Sequence, residues 1–455
     1  MTEDKEKALL EKIASCLERS DLDECVGEAI DSAKELGISP QRLLELNITQ
    51  MMDGQYQQGY ILALAAAEGI DEKAPAYANA GTASFHLNNL ESAEKQLRLA
   101  IEADPNNSLA HSNLGNLLYD LGRTDEAEKQ YRLAIKSGPN FAPAYYNFGV
   151  LLYDLERKDE AEVQLRLAIK SDPNFASAHY NLGVLLSELG RKDEAEEQYY
   201  LAIKSDPNHA EAHSNLGVLL KNLGRKVEAE EQYRLAIKSD PNLAVAHNNY
   251  ANLLRDRGRF GEAEKEVRIA LDLDPHNPNW LGTLGDILAD EGWLDESEKE
   301  YKRALEHSNE MEDTARSEIH NNLGWVYAQK KLFYNAKDEF FKARTIDPKN
   351  IKAIRNLRII ERVEAPTEIT QDQKTISFLL VLLLLLSLCL FWIAKLNETS
   401  FTALFMFFTA TILFVLLYRS IGKFSAGLKG VEFEMSTEHR IYPAQSVEQI
   451  TKLER

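Results

Sequence analysis

Seven asparagines recur along the middle of the chain, and their carboxamides are the side chains best suited to recognition. The first six lie 34 residues apart, and the seventh keeps the same place in a later unit: Asn79, Asn113, Asn147, Asn181, Asn215, Asn249 and Asn322. A carboxamide has an acceptor oxygen and two N–H donors, so it can pair with both polar groups of a peptide unit. This pattern predicts either a face that binds the backbone of an extended polypeptide or asparagines that hydrogen-bond within the fold.

Tyrosines and valines fall beside the asparagines at helical spacing. They occupy the position before an asparagine, the position three residues after it or the position six residues after it: Tyr146, Tyr180, Val150, Val184, Val218, Tyr119 and Tyr153. Tyrosine offers a large contact area at a low cost in conformational entropy. The same face would therefore suit apolar side chains of a bound polypeptide, unless the rings only cover a neighbouring helix.

Histidines and acidic runs are the other candidates for chemistry. The histidines precede the asparagines by two residues: His111, His179, His213, His247 and His320. Packed helices lie ~8–10 Å apart, whereas zinc ligands lie ~2 Å from the ion. We therefore expect no metal and a packing role for the histidines.

The acidic runs Asp125–Glu128, Asp159–Glu162 and Asp193–Glu196 each open a predicted helix, where carboxylates stabilise the helix dipole on a solvated face. The sequence has no glycine-rich phosphate loop, nucleophile elbow or HExxH motif. It therefore predicts a protein that is not an enzyme and that binds no cofactor.

A 34-residue unit sets the positions of all these residues. In residues 108–141, one run of apolar residues at helical spacing ends at Gly122, and a second run ends before Pro139. Small residues recur at the eighth, twentieth and twenty-seventh positions, and proline recurs at the thirty-second. Units begin at residues 74, 108, 142, 176, 210, 244, 278 and 317; the seventh is degenerate and, with an insertion, spans residues 278–316.

This helix–turn–helix period resembles the tetratricopeptide repeat. The resemblance implies an all-α fold, a right-handed superhelix or α-solenoid, with eight repeats over residues 74–350. A stacked array needs polar ends, which suggests an N-terminal helical cap of decayed repeats at 1–73 and a capping helix at 351–365. The asparagines are similar to the asparagine ladder of the repeat domain of O-linked N-acetylglucosamine transferase, whose amides grip an extended polypeptide.

Two apolar runs follow a polar linker at residues 366–374. Residues 376–394 would span ~29 Å as a helix, which is about the thickness of the hydrocarbon core, and residues 401–418 form a second run. We interpret them as a transmembrane helical hairpin. Lys374, Arg419 and Lys423 flank the hairpin, so the positive-inside rule places both ends, the repeats and the 419–455 tail in the cytoplasm.

Composition narrows the class of partner. The formal net charge is −20, which disfavours nucleic acid because phosphates are bound through neutralising lysines and arginines. Cys16, Cys25 and Cys389 have neither a disulfide-framework nor a metal-ligand spacing, which favours a reducing compartment. The first ten residues lack the apolar run of a secretory signal.

These patterns predict a membrane-anchored adaptor that binds a protein or an extended peptide in a groove lined by the first helices of the repeats. An alternative is a regulatory or assembly subunit of a membrane complex, held through its hairpin. A third, weaker alternative is a glycosyltransferase-associated repeat protein, although the short linker leaves no room for a catalytic domain.

Overall fold

The computed structural model describes residues 2–364 except residues 308 and 310, and throughout this part every regular element is an α-helix. The chain divides into unit one, Met1–Asp240, and unit two, Pro241–Arg455. Unit one contains α1 (Thr2–Leu17), α2 (Leu22–Leu36), α3 (Pro40–Met52), α4 (Tyr56–Ala67), α5 (Ala74–His86), α6 (Leu90–Ala103), α7 (Ser108–Asp120), α8 (Thr124–Ser137), α9 (Ala142–Asp154), α10 (Lys158–Ser171), α11 (Ala176–Glu188), α12 (Lys192–Ser205), α13 (Ala210–Asn222) and α14 (Lys226–Ser239).

The described part of unit two continues the same pattern of paired helices. Its elements are α15 (Ala244–Arg255), α16 (Phe260–Leu273), α17 (Pro278–Glu291), α18 (Leu294–Glu306), α19 (Asp313–Gln329), α20 (Phe333–Ile346) and α21 (Ile351–Glu364). From α5 to α20, each odd-numbered helix is the first helix of a repeat and each even-numbered helix is the second. The insertion lengthens α19 at its N-terminal end. This helix begins at Asp313, four residues before residue 317, where the regular unit begins.

The glycine at the eighth position of a repeat permits close packing of the two helices. A Cβ atom on Gly115 would lie 2.6 Å from Cε1 of Tyr131, a side chain that is only 2% exposed. Gly217 has the same relation to Tyr233, at 2.7 Å. The second helix therefore places a large ring against the backbone of the first, which explains why the small residue recurs.

The turn between the two helices needs a left-handed backbone. Gly122 has a φ of +70°, the conformation that glycine adopts without steric cost. Glu156 and Lys331 occupy the same place in their repeats with φ values of +57° and +62°. The turn geometry is thus set by the helix pair and persists where glycine is absent.

A ladder of ion pairs joins successive second helices in unit one. Arg157, which directly precedes α10, donates from Nη1 to Oε2 of Glu128 in the preceding repeat, at 2.6 Å, and from Nε to Oε1 of Glu160 in α10, at 2.7 Å. The Glu128 side chain is only 20% exposed. The expectation that all the acidic-run carboxylates lie on a solvated face is thus wrong for Glu128, because it bridges two repeats.

The N-terminal helices contain a disulfide that the cysteine spacing failed to predict. Cys16 and Cys25 are bonded through their sulfur atoms, with their Cα atoms 5.7 Å apart, and both side chains are fully buried. The prediction from cysteine spacing that there is no disulfide is therefore wrong. Because α1 ends at Leu17 and α2 begins at Leu22, the chain reverses between the helices and brings the two cysteines together. The inference of a reducing compartment loses this support.

The C-terminal end of the described chain is α21. It buries Ala353, Leu357 and Ile360, while Ile351, expected on the apolar face, is 70% exposed. In the described part of the chain, no helix is both long and apolar enough to cross a bilayer. The predicted spans 376–394 and 401–418, the linker and the tail lie outside the described residues.

Candidate functional site

The asparagines of unit one lie on the first helices and are partly buried. Each donates one amide N–H to a side chain of the preceding helix pair. The hydrogen bonds run from Asn79 to Oδ1 of Asn47 (2.7 Å), from Asn113 to Oγ1 of Thr82 (2.9 Å), from Asn147 to Oγ of Ser112 (3.2 Å), from Asn181 to OH of Tyr146 (3.0 Å) and from Asn215 to OH of Tyr180 (3.1 Å). We call these five asparagines the asparagine row.

The row uses only part of the hydrogen-bonding capacity of each amide. Within the described residues, the Oδ1 atoms of Asn147, Asn181 and Asn215 accept no hydrogen bond. A carboxamide oxygen can accept two hydrogen bonds. One N–H of each amide thus hydrogen-bonds within the fold, as one of the two interpretations predicts, and the binding of a polypeptide stays a prediction.

Tyr146 and Tyr180 are partly buried and held in place as hydrogen-bond acceptors of the row. Their rings also pack on the loops before the next first helices, with ring centroids 5.0 Å from Phe175 for Tyr146 and 4.9 Å from His209 for Tyr180. Burial, more than any other cause, raises the pKa of both hydroxyls. These rings form fixed walls beside the row.

Tyr119 and Tyr153 lie farther along the first helices and donate to carboxylates of the following repeat. Tyr119 donates to Asp154, and Tyr153 donates to Glu188. The hydrogen bond to Asp154, followed by burial, raises the pKa of Tyr119 to about 12. Both tyrosines therefore remain neutral donors at physiological pH.

Between these tyrosines the face carries apolar side chains. Val150, Val184 and Val218 are partly buried on α9, α11 and α13, at the positions that the sequence predicted. Asp120, Asp154 and Glu188 are exposed along one edge. The face in unit one thus combines a row of amides, an apolar floor and an acidic edge.

The histidines hold the repeat together through hydrogen bonds. In His179, Nδ1 lies 2.8 Å from Oε1 of Gln198 on the second helix, and Nε2 lies 3.1 Å from the carbonyl oxygen of Pro173. His111 and His213 repeat both contacts. Because both ring nitrogens are engaged within the fold, these side chains are structural.

In unit two the periodic asparagine pattern is interrupted. Asn249 is partly buried on α15, but Thr283 occupies the next equivalent position on α17. Asn322 on α19 is 4% exposed; its Nδ2 donates to Oδ1 of Asp286 at 2.9 Å, and its Oδ1 accepts from Asn321 at 3.2 Å. The amide of Asn322 therefore differs from those of unit one, because its oxygen is already used.

A buried charge cluster accompanies this interruption. Arg255 is 5% exposed and lies 2.6 Å from Oδ2 of Asp286 and 3.1 Å from Oδ2 of Asp290. The hydroxyl of Tyr301 donates to Oδ1 of Asp286 at 2.6 Å. Sequence reasoning missed this cluster, although its signal was an arginine at the twelfth position, where two other repeats have tyrosine.

Comparison with protein families identifies the repeats. Two family models described as tetratricopeptide repeat match this chain; the first covers residues 79–142, 112–173, 146–208 and 250–312, and the second covers residues 210–243. The predicted 34-residue repeat is thereby confirmed: the matched residues are tetratricopeptide repeats. Comparison with curated proteins finds no match.

Several solved structures are similar to this chain. The Cut9–Hcn1 hetero-tetramer of the APC/C is 15% identical, with a TM-score of 0.50, over 76% of this chain and 74% of that chain. Pseudomonas aeruginosa PilF is 24% identical with a TM-score of 0.43, covering 46% of this chain and 96% of that chain. YrrB, a repeat protein with an unusual peptide-binding site, is 25% identical with a TM-score of 0.35, covering 42% and 97%. At this level of identity, the likeness to Cut9–Hcn1 supports the all-helical repeat fold and nothing more specific.

Proposed function

We propose that this protein is a membrane-anchored adaptor that binds an extended segment of a partner protein along the asparagine row of unit one. The observation that carries the proposal is the unused hydrogen-bonding capacity of the row. Asn147, Asn181 and Asn215 are each fixed by one donated N–H, and each retains an oxygen with no partner among the described residues.

Fixed acceptors in a row suit a polypeptide backbone. Each peptide unit of an extended segment carries one N–H donor and one C=O acceptor that need partners. The row can accept from such N–H groups, and its second amide hydrogens can donate to carbonyls. Because these contacts involve the main chain, the row supports affinity with little dependence on sequence.

Specificity would come from the side chains that flank the row. Val150, Val184 and Val218 offer an apolar floor, and Tyr146 and Tyr180 offer rings that are already held in place. Rings that are ordered before binding lose little entropy when a ligand arrives. The exposed carboxylates Asp120 and Asp154 disfavour acidic segments, so we expect an apolar segment that is neutral or basic.

The anchor is the part of the proposal that rests on sequence alone. The apolar runs 376–394 and 401–418, with basic residues outside both, support a hairpin that holds the repeats on the cytoplasmic side. Alkaline carbonate washing of membranes from cells that express the full chain tests it. The protein should stay in the membrane pellet, and its release into the supernatant would reject the anchor.

The binding test uses the full-length chain in detergent and a phage-displayed library of random peptides. The strongest binder is synthesised, and its dissociation constant is measured by fluorescence anisotropy against two triple variants. The first, Asn147→Ala with Asn181→Ala and Asn215→Ala, removes the row. We expect its dissociation constant to rise about 10- to 100-fold, since each lost hydrogen bond contributes about 1 kcal/mol.

The control variant, Asn140→Ala with Asn174→Ala and Asn208→Ala, changes three exposed asparagines in the turns between repeats of the same unit. It should bind like the parent chain. Circular dichroism shows whether each variant keeps its helices. Equal affinity of the row variant and the parent would mean that the row only stabilises the stack, and the adaptor hypothesis would lose its binding face.

A further inference from the structure

A small polar cavity lies in unit two, at the point where the asparagine pattern is interrupted. It is formed by α15, α17 and α19 and has a volume of about 80 Å³. The polar side chains that line it include Asn248, Asn252, Thr283, Asp286, Glu318 and Asn322. A cavity of this size accommodates a side-chain head group rather than a whole ligand.

The cavity contains a buried acceptor without a partner. Asn248 is 6% exposed, and its Oδ1 is buried without a hydrogen bond. In unit one the equivalent position receives the N–H of the next asparagine, as Tyr146 does from Asn181. In unit two that next residue is Thr283, whose Oγ1 instead accepts from Nδ2 of Asn252 at 3.5 Å. Thr283 has no side-chain N–H, so it supplies no such donor to Asn248.

The charged wall of the cavity is already ordered. Asp286 accepts from Arg255, Tyr301 and Asn322, at 2.6, 2.6 and 2.9 Å. These three donors hold the carboxylate in place before any ligand arrives. Ordering of this kind reduces the entropy lost on binding.

The charged residues that line the cavity are acidic. Asp286 and Glu318 line it, and no lysine, arginine or histidine is among its described lining residues. An anion would face these carboxylates and an unpaired acceptor oxygen, so it would be repelled. A cation with N–H donors would supply the hydrogen bond that Asn248 lacks and would be attracted to the carboxylates.

We propose that this cavity binds the ammonium of a lysine or the guanidinium of an arginine on the polypeptide that the repeats hold. The proposal rests on the proposed function, since the basic side chain belongs to the bound segment. It adds a requirement for positive charge that the unit one face does not impose. The cavity and the asparagine row are tested by different probes, so that either can fail alone.

The test probes the cavity directly with small amides. The full-length chain in detergent is labelled with ¹³C at methionine and isoleucine methyl groups, and Met311 and Ile319, which line the cavity, report binding. Nα-acetyl-arginine amide and Nα-acetyl-lysine amide are titrated separately, with Nα-acetyl-norleucine amide as the uncharged comparison. We expect saturable shifts of both methyl signals with at least one of the cationic amides and none with norleucine.

Asn248→Leu removes the acceptor at nearly constant volume and should raise the dissociation constant at least about tenfold, as expected for a lost charge-assisted hydrogen bond. Asn222→Leu is the matched control, because Asn222 also has a buried, unpaired Oδ1 but belongs to unit one and does not line the cavity. It should bind like the parent chain.

Absence of saturable methyl shifts with both cationic amides would overturn the proposal, as would equal shifts with norleucine amide. Unchanged affinity in folded Asn248→Leu would also overturn it. None of these outcomes tests the proposal for the asparagine row, which is tested by the peptide affinity of the unit one variants.

Discussion

The asparagine row in unit one and the interrupted pattern in unit two show two ways of placing polar groups on the same helical scaffold. In unit one, Asn181 and Asn215 each donate to a tyrosine of the preceding repeat and remain partly exposed. In unit two, Asn322 is buried and donates to Asp286, which also binds a buried arginine. The contact in unit one recurs from one repeat to the next, whereas the charge cluster in unit two occurs at a single place.

One contribution to the difference is the residue type at the sixth position of a repeat. Asn181 and Asn215 each donate an N–H to the tyrosine at the fifth position of the preceding repeat. Thr283 has no side-chain N–H to donate, and Oδ1 of Asn248, at the fifth position of the preceding repeat, is unpaired. Buried polar groups without partners are costly, so this interruption marks a place where the chain has a reason other than stability to keep polar residues.

The largest expected effect comes from Arg255. Replacing it by methionine keeps most of the side-chain volume but leaves Asp286 and Asp290 without their cation. Breaking a buried ion pair in this way costs about 3–5 kcal/mol. Hydrogen–deuterium exchange of the full chain should show faster exchange in α15, α17 and α19 for Arg255→Met.

Arg268→Met provides the control for this measurement. Arg268 lies in the same unit and pairs with Glu264 at 2.7 Å, but its side chain is 58% exposed. An exposed pair contributes about 0–1 kcal/mol, so exchange should hardly change. Equal exchange in the two variants would show that the buried cluster does not stabilise unit two.

The sequence predicts the contacts that the repeat makes with itself. Gly115 must be small because Tyr131 packs on it. The period reveals this relation because it recurs in other repeats, between Gly183 and Tyr199 and between Gly217 and Tyr233. The positions of the asparagines, tyrosines and valines on the first helices were also readable from helical spacing. The repeat period and the helical class are therefore strong sequence signals.

The hydrogen-bond acceptors of the asparagines could not be predicted from the repeat period. Asn113 donates to Thr82, whereas Asn147 donates to Ser112, so the acceptor position changes between repeats. Such contacts depend on side-chain rotamers and not on the period. The Cys16–Cys25 bond was missed for a related reason, because it depends on a reversal of the chain outside the periodic region.

A reciprocal exchange tests whether residue 283 decides the difference. Thr283→Asn places a donor where Asn248 lacks one, and it should stabilise unit two by about 1 kcal/mol. Asn181→Thr makes the opposite change beside Tyr146 and should destabilise unit one by a similar amount. Urea unfolding of the full chain, with hydrogen exchange to locate the change, measures both.

The two substitutions should change the free energy of unfolding in opposite directions. If Thr283→Asn leaves exchange in unit two unchanged and Asn181→Thr leaves it unchanged in unit one, the donated N–H does not stabilise the stack. Thr283→Asn should also weaken the response of Met311 to the cationic amides, because the new amide would compete for Asn248.

The smallest effect concerns a partly buried ion pair in unit one, the pair between Glu128 and Arg157. The hydrogen bond from Arg157, more than any other cause, lowers the pKa of Glu128. A carboxyl with a lowered folded-state pKa stabilises the fold above its unfolded pKa of ~4.3, and this contribution disappears as the pH falls through the folded value. Glu128→Gln should therefore cost about 0.5 kcal/mol at pH 7 and nothing once the pH lies below the folded-state pKa.

Glu160→Gln is the matched control, because Glu160 binds the same arginine within one repeat and is 53% exposed. It removes a local pair at the start of α10 and leaves the contact between repeats, so its effect should be smaller than that of Glu128→Gln. Urea unfolding at both pH values, repeated at high salt, measures the difference. If Glu160→Gln costs as much as Glu128→Gln, the bridge between repeats contributes no more than an ordinary surface pair, and the charge that matters in this protein is concentrated around Arg255.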